Sequence, residues 1–105
     1  MSEDRWLPVA RAEEIAPRGA RRLVTQHYDI AVFRSEDGRL FAIEDRCPHR
    51  GARLSAGAVY DNDKVACADH GWTVCLVDGK VAPPEQGRVR TFAVKVEDGV
   101  VYVLA

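Results

Sequence analysis

The sequence predicts an all-β domain, an antiparallel sandwich or partly open barrel of short strands. Three observations predict it. Runs rich in Val, Ile, Phe and Tyr alternate with polar residues, turn formers separate those runs at hairpin spacing, and no helical period lasts beyond about one turn. A chain of 105 residues has room for one core, so residues 1–105 read as a single domain. Hydrophobic residues at 47% and charged residues at 30% are globular proportions, which excludes a disordered or fibrous chain.

In chain order, Arg11–Ile15 reads as a helical turn that Pro17 and Gly19 stop. Arg21–Gln26, Tyr28–Arg34, Arg39–Glu44, Lys64–Cys67, Trp72–Val77, Arg90–Glu97 and Val100–Leu104 read as strands, because β-branched and aromatic residues suit a pleated, half-buried surface. Glu36-Asp37-Gly38, Asp61-Asn62-Asp63, Asp78-Gly79, Pro83-Pro84 and Asp98-Gly99 supply the turns. Two segments break the pattern, about 46–57 and 67–73. They are rich in Pro, Gly, His and Cys and read as loops leaving strand ends, where function concentrates.

With fifteen basic and sixteen acidic residues the net charge is −1, and no stretch gathers the positive field that nucleic acid or anionic lipid needs. The opening Met1-Ser2-Glu3-Asp4-Arg5-Trp6 is charged where a secretory signal is apolar, and no apolar run reaches membrane-spanning length, so the cytoplasm is the expected location. Three cysteines in such a chain point to metal binding or reactive chemistry more than to disulfides.

The first loop reads Cys47-Pro48-His49-Arg50-Gly51-Ala52-Arg53-Leu54 and the second Cys67-Ala68-Asp69-His70-Gly71-Trp72, each with one thiol and one imidazole. Cys47, His49, Cys67 and His70 are therefore the candidate metal ligands. A lone His or Cys is more often a packed or solvated side chain; the joint pattern of Cys-x-His, seventeen residues, Cys-x-x-His is what carries the reading. Structural zinc is the rival, although Cys₂His₂ zinc sites usually pair cysteines in one knuckle and histidines on a helix, whereas each loop here mixes the two. Pro48 fixes one backbone angle, and Gly51 and Gly71 would let backbone N–H groups approach a bound cluster. Cys75, in an apolar run, reads as a buried inert thiol, and His27 as structural.

The ligand pattern resembles that of the Rieske family. The resemblance implies one [2Fe–2S] cluster, with Cys47 and Cys67 on one iron and His49 and His70 on the other, in a Rieske-type antiparallel fold with two cluster-binding loops. Respiratory and photosynthetic members carry a cysteine in each loop, joined as a disulfide, and Ser and Tyr hydroxyls that bond to the cluster. At the matching positions this chain has Ala52 and Asp69, and Trp72 and Val74. Fewer donors and a carboxylate beside His70 disfavour the added electron, which implies a potential near the low end of the family's range, about −150 mV.

Two low-potential branches match. Trp6, Ile30-Ala31-Val32-Phe33-Arg34, Arg46-Cys47-Pro48-His49-Arg50-Gly51 and the ending Gly87–Gly99 are most similar to the small subunit of assimilatory NAD(P)H-dependent nitrite reductase. That likeness implies a role in nitrate assimilation beside a large flavin and sirohaem subunit. Its usual second loop has Pro and Leu where this chain has Ala68 and Asp69. The alternative is the ferredoxin of aromatic-ring-hydroxylating dioxygenases, served by a flavin reductase and serving a terminal oxygenase. A third class keeps the fold and uses its metal only as a clip. Under the first two the chain is an electron-transfer component of an oxidoreductase with no substrate-converting site of its own. Pro48, Arg50, Leu54 and Trp72 are the expected surface a partner meets, with core packing for Trp72 and a solvated charge for Arg50 as the plain alternatives.

Overall fold

The computed structural model describes residues 5–48, 51–69 and 71–105. Its elements are β1 (Trp6–Arg11), a 3-10 turn (Ala12–Glu14), β2 (Ala20–Val24), β3 (Asp29–Arg34), β4 (Leu40–Glu44), a second 3-10 turn (Leu54–Ala56), β5 (Ala58–Tyr60), β6 (Lys64–Ala66), β7 (Thr73–Cys75), β8 (Thr91–Phe92), β9 (Val94–Glu97) and β10 (Val100–Leu104). They form three antiparallel sheets, ordered β1-β10-β9, β2-β3-β4-β8 and β5-β6-β7. The expected all-β fold holds, as packed layers rather than a closed barrel. No helix among the described residues is long and apolar enough to cross a membrane.

The four-stranded sheet is the middle layer, and β3 shows why. Ile30, Ala31, Val32 and Phe33 are all 0% exposed, as a strand covered on both faces requires. Because side chains alternate, Ile30 and Val32 join Ala42, Val101 and Val103 in a core against β1-β10-β9. Ala31 and Phe33 join Ile43, Val59, Val65 and Val74 in a second core against β5-β6-β7. Each fully buried Ile or Phe contributes about 1.5–3 kcal/mol relative to exposure.

The turns obey local chemistry. Asp98 and Gly99 both take positive φ, 52° and 77°, between the paired Glu97 and Val100, which is the two-residue hairpin that Asp-Gly favours. The expected single strand over Arg90–Glu97 is corrected. Thr91–Phe92 pairs with β4 and Val94–Glu97 with β10, so the chain changes sheets at Ala93. The helical turn expected over Arg11–Ile15 is shorter, Ala12–Glu14, closed by a bond from the Arg11 N–H to the Glu14 carboxylate, 2.8 Å. The strand expected over Trp72–Val77 is confined to Thr73–Cys75.

Candidate metal centre

Both loops are built on one plan. The Cys47 N–H donates to the Ala52 carbonyl at 2.7 Å, and the Gly51 N–H returns to the Cys47 carbonyl at 2.8 Å. In the second loop the Cys67 N–H donates to the Trp72 carbonyl at 2.7 Å, and the Gly71 N–H returns to the Cys67 carbonyl at 2.9 Å. Each ring needs left-handed backbone at its fourth residue after the cysteine. Gly51 (φ 75°) and Gly71 (φ 71°) supply it without the cost a side chain would add. Their own N–H groups are spent inside the loops, on the Cys47 and Cys67 carbonyls.

Cys47 and Cys67 are 1% and 3% exposed and belong to the same core, between the middle sheet and β5-β6-β7. The two predicted thiol ligands thus enter one core from two loops with the same pattern of backbone bonds. His49, Arg50 and His70 lie outside the described residues. A thiolate from each of two matched loops, with an imidazole two or three residues further along each chain, fits a group held half by sulfur and half by nitrogen.

The surroundings sort the remaining expectations. Leu54 is 0% exposed and sits in the core, so it is not a partner-facing residue; the 3-10 turn folds it inward. Trp72 is half-buried against the same core, which favours its packing role. Pro48 is exposed, and Gly87 from the segment that holds the cis Pro83–Pro84 bond lies against it. Cys75 is half-buried rather than buried, and its thiol hydrogen-bonds the Asp78 carboxylate. His27 is exposed, edge-on to Tyr28 with ring centroids 6.5 Å apart, in an open groove of about 340 Å³ that also touches Arg46 and Arg53.

The sequence reading missed a charged network at the foot of the first loop. Asp45, with a fully buried side chain, accepts the Ser55 N–H (2.7 Å), the Ser55 hydroxyl (2.7 Å) and Arg22 Nε (2.7 Å), and Arg22 Nη2 also reaches Asp29 at 3.0 Å. Its one signal in the sequence was an acid two residues before Cys47, which a solvated charge explains equally well.

A model of the Rieske [2Fe-2S] domain matches residues 5–93. The 3-phenylpropionate/cinnamic acid dioxygenase ferredoxin subunit of Photorhabdus laumondii is 40% identical over 96 residues, covering 90% of each chain. Oxidoreductase NdmD of Pseudomonas putida is 32% identical across 94% of this chain, which spans only 18% of that protein. Among solved structures, a chain in the complex of reduced oxygenase and oxidized ferredoxin in carbazole 1,9a-dioxygenase superposes with TM-score 0.85 at 35% identity, covering 94% of this chain and 92% of that one. A chain assigned as the NADH-dependent nitrite reductase small subunit of Mycobacterium tuberculosis gives TM-score 0.89 at 21% identity, covering 99% and 97%, which is a likeness of fold alone. The chain belongs to the Rieske [2Fe-2S] domain family and carries a Rieske-type [2Fe–2S] cluster.

Proposed function

We propose that this chain is a one-electron carrier of the ferredoxin type, in which Cys47 and Cys67 hold one iron, His49 and His70 hold the other, and the electron goes from a flavin reductase to an oxygenase. The observation that carries the reading is the 40% identity to a dioxygenase ferredoxin subunit along 90% of both chains. Identity over that length includes the sheets as well as the loops, so it rests on more than the ligand motif.

When bound, the cluster supplies a single reversible redox step, with neutral imidazoles raising its potential above that of an all-cysteine site. The chain's own residues prepare for that step. Cys47 and Cys67 are held in a dry core by carbonyl and amide bonds, which fix the backbone that carries both sulfurs. Leu54, Trp72 and Val74 keep water from the thiolate side. The histidines fall further along the loops, and Pro48, exposed beside Gly87, marks the side from which a partner approaches.

A second reading has its own support. The segment Gly87–Gly99 and the loop Arg46–Gly51 resemble the small subunit of assimilatory nitrite reductase, in which case the partner is a large flavin and sirohaem subunit. One experiment separates the two. Reduced holoprotein is mixed with a dioxygenase terminal oxygenase plus aromatic substrate, and separately with a nitrite reductase large subunit plus NADH and nitrite. Turnover of the oxygenase supports the first reading. Nitrite consumption that depends on the added chain, in a stable complex, replaces it with the second.

A further inference from the structure

We infer that Asp45 is a positioning residue for the first cluster loop, standing in through its side chain for the strand ladder that this loop lacks. The inference rests on Cys47 and Cys67 being cluster ligands. Its basis is a difference between two loops that are otherwise alike.

Both loops carry the same ring of bonds around the cysteine, but they are anchored differently. The second loop closes a hairpin. Ala66, just before Cys67, pairs with Thr73, and β6 continues back through Val65 opposite Val74 and Lys64 opposite Cys75. Backbone ladder bonds therefore fix both of its ends. After the first loop the chain enters no strand paired with β4. It turns through Leu54–Ala56 and leaves for β5, whose partner is β6. Among the described residues, the ring itself is the backbone tie between the two ends of loop one.

Asp45 makes the missing tie. It stands just after β4, where its N–H donates to the Asp29 carbonyl at 2.7 Å and holds it in register with β3. One carboxylate oxygen accepts the Ser55 N–H, as a ladder carbonyl would, and the other accepts the Ser55 hydroxyl and Arg22 Nε, all at 2.7 Å. The bonds span the loop from the second residue before Cys47 to the residue after Leu54. The carboxylate is 0% exposed, so water offers no substitute, and short charge-assisted bonds of this kind resist bending more than neutral ones. Arg22 balances the buried charge from β2, and its second contact to Asp29 fixes the guanidinium in turn. At the equivalent position, two residues before Cys67, the second loop has Val65, 0% exposed in the core, and has no need of such a group.

The test uses anaerobic holoprotein in four forms besides wild type. Asp45→Asn keeps size and removes the charge; Ser55→Ala removes one bond and is mild enough to fold if the first variant is not; Ser55→Thr restores the hydroxyl. Val103→Ala, in the opposite core, lowers stability without touching either loop. Iron release to a chelator is timed, hydrogen exchange is read separately over segments 46–55 and 67–73, and the midpoint potential is measured. Outer-shell partners of metal sites are typically worth ten- to a hundredfold in affinity, so Asp45→Asn is expected to speed iron release by on the order of tenfold or more, with Ser55→Ala smaller and Ser55→Thr near wild type. Exchange should quicken in 46–55 only, and the midpoint should move. Equal quickening of both loops, unchanged release, or acceleration by Val103→Ala at a matched loss of thermal stability overturns the inference. Failure of the ligand reading looks different: Cys47→Ala would then retain iron and sulfide.

Discussion

A β-carbon on Gly87 would stand 3.1 Å from Cβ of Pro48 and 3.4 Å from its Cγ. The contact joins the proline of the first cysteine loop to a segment nearly forty residues further along the chain. Gly87 also has φ 150°, which side-chain-bearing residues rarely adopt. Gly87→Ala is therefore expected to cost about 1–3 kcal/mol and to push the segment off Pro48. A lower melting temperature together with faster bleaching of the cluster by a chelator checks it.

Glycine substitutions should rank by what stands in the way. Gly57→Ala and Gly79→Ala would put Cβ at 2.1 Å from the Ala66 carbonyl oxygen and 2.2 Å from that of Val89, and backbone cannot step aside cheaply. Among the described residues nothing stands within 4 Å of a β-carbon on Gly71, and one on Gly51 meets the flexible Arg46 side chain at 3.4 Å, so each loses about 1–2 kcal/mol from its positive φ. Denaturant midpoints of the four variants should fall in that order, and a Gly71→Ala loss as large as that of Gly57→Ala would contradict it.

Leu54→Ala should behave as a core deletion, costing about 2–5 kcal/mol, because the side chain is 0% exposed. Electron exchange with a partner, measured on the folded fraction, should be unchanged. A slower exchange at equal stability would restore Leu54 to the docking surface.

Cys75→Ser should load a full cluster, since Cys75 lies on β7 with its thiol toward Asp78 and takes no part in the paired loops. Cys47→Ser and Cys67→Ser should each lose the visible spectrum or shift it grossly. Iron and sulfide analysis distinguishes these outcomes.

Acid should act through the Asp78 turn. The Lys80 N–H, at 3.0 Å, and then the Cys75 thiol hold the Asp78 carboxyl below the ordinary carboxylate range. A folded pKa lowered in this way stabilises the protein above the unfolded value, about 3.9, and the contribution disappears as the pH falls through the folded value. The gap in denaturant midpoint between wild type and Asp78→Asn should therefore be widest above about pH 5 and narrow toward pH 3. A gap that widens on acidification has the wrong sign.

The midpoint potential should lie near the low end of the Rieske range, about −150 mV. Val74, where relatives of higher potential have a hydroxyl, is buried and apolar and offers no donor. A value well above 0 mV overturns this.

What could be read from the sequence divides along physical lines. β3 announced itself because four consecutive apolar residues need cover on both faces, and the Asp98-Gly99 hairpin because few residue pairs tolerate its backbone. β1 was missed. Pro8 and a register shift between Pro8 and Ala10 interrupt its alternation, and the charged Glu3-Asp4-Arg5 before it reads as a tail. β5 has only three residues, too few for a period to show. That Cys47 and Cys67 head two alike loops was legible because a Cys and a His at short spacing, twice over, stand apart from packing residues. Asp45, Ser55 and Arg22 were not, because their meaning lies in a meeting of three segments far apart in sequence.

The middle sheet divides the interior into two compartments, and both cysteines belong to one of them. The other, between β3 and β10, is complete without iron. The apolar surface between β3 and β10 is thus buried without either of these cysteines, so removal of the cluster is expected to loosen the half between the middle sheet and β5-β6-β7 before the half that β10 closes.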